Sequence, residues 1–124
     1  MVLVLNNRDL NYVTWEQRAM DGEPRYLGSQ AIPDLPYADY ARLIGLDGVR
    51  VERPEEVGPA WARALAADRP FVLDVVVDAA VPTLPPELKP EQEDKLARAL
   101  AAGDPDADAV LRQLQLQEVV QQGG

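Results

Sequence analysis

The chain has 124 residues, 47% of them hydrophobic, with 12 Lys and Arg against 21 Asp and Glu for a formal net charge of −9. That length suits one domain with a core of its own, and the acidic balance argues against nucleic acid or an anionic membrane surface as partner, since phosphates are met by clustered Lys and Arg. The absence of Cys excludes disulfides and thiolate metal sites and makes a reducing cytoplasm the expected setting, while the absence of His leaves acid–base chemistry to Asp, Glu or groups from elsewhere.

The first element is Val2-Leu3-Val4-Leu5, an apolar run that breaks into Asn6-Asn7. It reads as a short buried strand that delivers polar side chains at its carboxyl end, where open α/β sheets bind ligands. Two accounts of the amides stay open, a capped loop or a ligand site, because Asn prefers turns to strand interiors in either case. The start is too short for a signal peptide and lacks a basic lead, and no run approaches the length of a membrane-spanning helix. Residues 10–20 have partial helix-forming character, ended by Asp21-Gly22 and Pro24.

The run VLNNRDLNYVTWEQR resembles the second half of the cofactor motif of thiamine diphosphate-dependent enzymes. The similarity continues as far as Pro82 to Gln92 and is closest to the group of pyruvate oxidases, pyruvate:quinone dehydrogenases and acetolactate synthases. The resemblance implies that Asn7 offers its side-chain oxygen, and Asp9 its backbone carbonyl, to Mg²⁺. Hard oxygen ligands of this kind suit that ion. It also implies that Tyr12 and Val13 sit near the thiazolium or flavin side of the cofactor, and that Glu16 stands where some relatives carry an acidic residue close to the substrate. From the residues alone, Tyr12 and Trp15 read equally well as packed aromatics, and Glu16 as part of a solvated helix face.

One departure from the family motif is large: its Gly-Asp-Gly half is not in this sequence, which starts at Met1 one residue before the strand. The anionic metal ligand and the diphosphate-cradling loop are therefore expected from elsewhere, and the polypeptide alone is expected not to hold the cofactor usefully. The glutamate that activates the cofactor belongs, in the family, to another subunit's amino-terminal domain, and any FAD would be bound by a domain that is not here. The implied activity is cofactor-assisted decarboxylation or oxidation of pyruvate or another 2-oxo acid. An assembly subunit completed by a separate amino-terminal partner chain, and an inert remnant, are the alternatives.

Residues 22–35, with Gly22, Pro24, Gly28 and Pro33, read as a long loop. Tyr37 to Leu46 reads as a helix with Pro36 in its first turn and Gly45 at its end. Val49 to Glu52 alternates like a strand opened by Gly48. Pro54-Glu55-Glu56 starts a helix whose apolar face is Val57, Trp61, Ala64 and Leu65, which places Trp61 in the core or against the sheet. Phe71 to Val77 is the strongest strand, near-continuously apolar as a parallel strand covered on both faces should be. Asp78 reads as a strand-end cap and Asp74 as an edge or interface position.

The Pro-rich stretch 81–90 reads as an extended linker, followed by helical patterns over 90–102 (Leu96, Ala99, Leu100) and 105–121 (Val110, Leu111, Leu114, Val119). The tail is short of the basic residues an interfacial membrane helix wants, so docking on its own domain or a partner is expected. The predicted architecture is a three-layer α/β fold with a mostly parallel sheet, a partial thiamine diphosphate-binding domain over 1–80, a linker over 81–90 and a helical tail over 91–124. An exposed sheet edge predicts self-association, with a homodimer as the expected form.

Overall fold

Three strands, β1 (Val2–Asn6), β2 (Asp47–Val51) and β3 (Phe71–Val76), pair in parallel in the order β1-β3-β2. This computed structural model describes residues 1–83 and 88–122. The chain forms two compact units: Met1–Arg8 with Pro33–Val77, and Asp9–Ile32 with the residues from Asp78 onward.

The first unit holds the sheet, and its layers follow from strand parity. Side chains alternate across a strand, and the register sets Leu3 beside Leu73 and Val49 beside Leu73. Val51, Phe71 and Leu73 therefore share one face, where they are buried with Ala60 and Ala64 of the helix α4 (Val57–Leu65). The other face carries Gly48, Arg50 and Asp74. There the helix α3 (Tyr37–Leu43) approaches so closely that a Cβ on Gly48 would lie 3.1 Å from the Ala38 carbonyl oxygen. The result is the expected three-layer α/β arrangement with an all-parallel sheet.

Five details of this unit differ from expectation. Asp74 stands on the central strand, fully buried, and not at an edge; Arg50 on one neighbouring strand and the Asn6 amide on the other make that burial tolerable. In α4 the buried residues are Ala60 and Ala64, while Val57, Trp61 and Leu65 form an outward stripe with Trp61 41% exposed. Close helix-on-sheet approach selected the small residues for contact. A single 3-10 turn, Pro54–Glu56, precedes α4, and β2 begins at Asp47, two residues before the expected start. The helix α3 stops at Leu43, with Gly45 in the left-handed region at φ 85° ending the turn.

The second unit contains α1 (Asn11–Glu16), a wide helical turn Gln17–Asp21, and three helices numbered α2 (Leu27–Gln30), α5 (Pro90–Ala101) and α6 (Ala107–Gln122). The short α2 interrupts what reads from sequence as an unbroken loop. Gly22, at φ 71°, ends the wide turn as the Asp21-Gly22 signal predicts. Trp15, Ala80, Leu96, Leu100 and Val110 make the core, so Trp15 is a packed aromatic. Leu96, Ala99, Leu100 and Val110 are buried as the periodicity implied, whereas Leu111 is exposed. The Val119 side chain and residues 84–87 of the Pro-rich stretch lie outside what is described. Asp78 caps as expected, its Oδ1 accepting the Ala80 N–H at 2.8 Å. No helix among the described residues is long and apolar enough to cross a membrane.

Candidate metal and cofactor site

The two amides at the end of β1 have different surroundings because adjacent strand positions point to opposite faces. Asn6 is buried and donates from Nδ2 to Asp74 Oδ1 at 3.0 Å and to Asp34 Oδ1 at 3.4 Å. Asn7 is half-buried, and its main-chain N–H turns back onto the Leu5 carbonyl at 3.2 Å. Arg8 then adopts φ 57°, the one non-glycine residue at positive φ among those described. Such a conformation costs about 1 kcal/mol or more for a residue with a Cβ, and it clusters at functional sites.

Around Asn6 the same unit gathers Asp34, Arg50, Asp74 and Arg8. Arg50 donates to both Asp34 oxygens at 3.1 Å and to Asp74 Oδ2 at 3.3 Å, and Arg8 pairs with Asp34 at 3.1 Å. The hydrogen bond from Arg50, and its charge with that of Arg8, hold the Asp34 carboxyl below its ordinary range against the opposing effect of desolvation. Arg50 is driven above its usual range by its hydrogen bonds to Glu52 and Asp34. Sequence reading did not assemble this cluster. The available signal was a lone aspartate inside an apolar strand, which demands a buried partner. Strand parity then points to Arg50, whose register partner is Asp74.

Asp9 belongs to the second unit. It is buried, bridges to Ala31 through the main chain, and its carboxylate meets Arg25 at 2.8 Å. The helix α1 that follows buries Asn11, Thr14 and Trp15. Asn11 anchors it by donating to the Ala79 carbonyl at 2.8 Å. On the outward side stand Tyr12, Val13 and Glu16, at helical spacing, with Tyr12 66% exposed. The three residues that the resemblance singled out on α1 are thus brought to one open helix face.

Residue by residue, the oxygen types at Asn7 and Asp9 are of the kind that suits Mg²⁺. An amide oxygen at Asn7 and a carbonyl at Asp9 are hard and neutral, whereas the Asp9 carboxylate is engaged by Arg25. Among the described residues no group of three or more Asp, Glu, His or Cys is placed to hold a metal ion.

The family pattern described as the thiamine pyrophosphate enzyme, C-terminal TPP binding domain, matches residues 1–75, a stretch that contains Asn6 and Asn7 and the whole sheet apart from Val76. This chain belongs to that family. Its thiamine pyrophosphate-binding domain is 34% identical over 76 residues to the putative thiamine pyrophosphate-containing protein YdaP of Bacillus subtilis, covering 61% of this chain and 13% of that protein. It is 33% identical over 85 residues to the mitochondrial acetolactate synthase catalytic subunit of Saccharomyces cerevisiae, covering 68% of this chain and 12% of the relative. Over 92 residues it is 38% identical to the probable chloroplastic acetolactate synthase 2 of Oryza sativa, covering 68% and 14%. The matched part of this thiamine pyrophosphate-binding domain therefore spans about an eighth of the length of these relatives.

Proposed function

We propose that this chain supplies the carboxyl-terminal share of the cofactor site in a thiamine diphosphate- and Mg²⁺-dependent enzyme acting on pyruvate or another 2-oxo acid. The observation that carries the reading is the division of labour between two neighbouring amides: Asn6 is tied to Asp74 and Asp34, and Asn7 is delivered at the strand end ahead of the left-handed turn at Arg8. Anchoring one amide fixes the backbone that presents the other. In this proposal Asn7 offers its side-chain oxygen and Asp9 its carbonyl to Mg²⁺, and Tyr12 and Val13 on the open face of α1 border the cofactor. Glu16, exposed on the same face, faces substrate. The cofactor when bound supplies the electron sink for breaking the bond next to the 2-oxo carbon. What this chain contributes is orientation and a dry wall on one side.

The donor set also argues that the site is shared. Two neutral oxygens compete poorly with the hydration of Mg²⁺, which dehydrates reluctantly. An anionic ligand and a diphosphate-binding loop are proposed to come from a further polypeptide segment, and FAD, if the parent enzyme uses it, from another domain. A second reading, an assembly subunit without activity of its own, is favoured by the free side of β1. That edge strand leaves Leu3 and Leu5 exposed, Leu5 at 62%. Exposed apolar edges recruit other strands, so pairing with an amino-terminal partner chain or as a homodimer is proposed here too. A cytoplasmic setting is proposed from the lack of Cys.

The test is a calorimetric titration of the chain with thiamine diphosphate and Mg²⁺, alone and mixed with a polypeptide carrying the Gly-Asp-Gly half. Binding only in the mixture, lost on Asn7→Ala, is expected. Binding by neither would overturn the cofactor reading and leave the assembly role.

A further inference from the structure

In the second unit, the segment after the Asn pair is joined to the tail by a chain of buried and part-buried ion pairs. Arg25 reaches Asp9 Oδ1 with one terminal nitrogen at 2.8 Å and Asp106 Oδ2 with the other at 3.0 Å, while its main-chain N–H donates to Asp104 Oδ2 at 2.8 Å. Arg18 takes both oxygens of Asp104 at 2.8 Å and shares Asp106 at 2.9 Å. The Asp106 N–H closes the turn by donating to Asp104 Oδ1 at 2.9 Å. The Arg18 and Asp9 side chains are 1% exposed and that of Asp104 is fully buried.

We propose that Arg25 is a positioning residue for the main-chain carbonyl of Asp9, and that the tail turn Asp104–Asp106 holds Arg25 to that task. The proposal rests on the reading of the Asp9 carbonyl as a Mg²⁺ ligand. Between the end of β1 and the start of α1 a single isolated bridge, Asp9 to Ala31, is the sheet-like pairing that fixes this stretch. A buried charge pair at Asp9 has leverage there that it would lack inside a regular ladder. Arg25 is itself oriented at three points, of which two belong to the tail. Charge-assisted, multi-point contacts of this kind are short and geometrically specific. A residue 81 positions away in sequence thereby supports the site. The tail is part of the metal loop's frame.

The experiment uses the full chain and three variants, Arg25→Gln, Asp106→Asn and Asp106→Glu. Amide hydrogen exchange is read at Leu10, whose N–H donates to the Gln30 carbonyl at 2.8 Å beside Asp9, and in α5 as an internal control. Line broadening of the Asp9 and Leu10 amide signals by millimolar Mn²⁺, a paramagnetic stand-in for Mg²⁺, is the second readout, taken with thiamine diphosphate and the polypeptide carrying the Gly-Asp-Gly half present. Exchange at Leu10 should rise roughly tenfold in Arg25→Gln and Asp106→Asn with α5 unchanged, since local opening can be looser than global unfolding. The Mn²⁺ broadening should fall in the same two variants, and Asp106→Glu should restore both signals. An unchanged Leu10 amide, or equal acceleration in α5, would overturn the positioning role in favour of general bracing. Faster exchange at Leu10 without Mn²⁺ broadening even for the unmutated chain in that mixture would keep the tether and overturn the metal reading of Asp9.

Discussion

Asn6 and Asp74 meet on the α3 face of the sheet, 68 residues apart in sequence, with the amide of one donating to the carboxylate of the other at 3.0 Å. Asp74 is fully buried, so each donor it receives offsets the cost of holding charge away from water. Asn6→Ala removes the donor and leaves the acceptor in place, and should destabilise the fold by about 1–3 kcal/mol. The midpoint of urea unfolding reads this directly. An effect under about 0.5 kcal/mol, the level of an ordinary surface change, would contradict the anchoring role.

The left-handed backbone at Arg8 gives a second test. Arg8→Gly removes the Cβ penalty and sacrifices only a half-exposed ion pair with Asp34, worth about 0–1 kcal/mol. The melting temperature should therefore hold or rise. Arg8→Val, which sets a β-branched residue at φ 57°, should lower it. Thermal unfolding of the pair gives the sign of each change.

Two glycines predict different outcomes. At Gly48 an added Cβ would come within 3.0 Å of the Val72 carbonyl oxygen and 3.2 Å of the Ala38 Cα, both backbone atoms that cannot swing aside. Gly48→Ala should cost about 1–3 kcal/mol as overpacking. At Gly58, the second residue of α4, nothing but its chain neighbours lies within 4 Å of such a Cβ, and Gly58→Ala should change stability by less than about 0.5 kcal/mol, the helix propensity of Ala being offset by the Pro59 ring that follows. Denaturant titration of both variants checks the contrast.

The pH dependence follows from Asp104. Burial pushes its carboxyl upward, but hydrogen bonds from Arg18 and from the Arg25 and Asp106 main-chain N–H groups outweigh that and hold it below the ordinary carboxylate range. A folded-state value below the unfolded one contributes stability above the unfolded pKa of about 4, which is lost as pH falls through the folded value. Unfolding midpoints measured from pH 7 down to pH 2 should therefore decline in acid. Asp104→Asn should be weaker at neutral pH and should flatten the acid limb of the curve.

Legibility in the sequence followed the range of the interactions. The strand run 2–5, the helix over α3 and the apolar run of β3 are local patterns, and each forms where period and breakers place it, with α3 three residues and β3 one residue shorter at the carboxyl end. The Asn pair was legible as a strand end. What escaped was anything decided by distant partners. Asp74 looked like an edge residue because no local pattern reveals Arg50 and Asn6 converging on it. Trp61 looked like core because its spacing matches the apolar stripe of α4, yet the sheet accepts only Ala60 and Ala64 at contact distance. The Arg25 tether was invisible for the same reason, since its partners Asp9 and Asp106 flank it from opposite ends of the chain.

The alternation of β1 sets a rule for which sequence changes this motif can absorb. Swaps among Val, Leu and Ile at positions 2–5 keep the parity that aims Asn6 at Asp74. A single-residue insertion or deletion between Val2 and Asn6 would exchange the duties of the two amides or swing Leu5 toward a buried carboxylate, because side-chain direction repeats every second residue. Among natural variants of this segment, aliphatic drift is therefore expected to be free while the distance from Asp74's register partner, Val4, to the Asn pair stays constant.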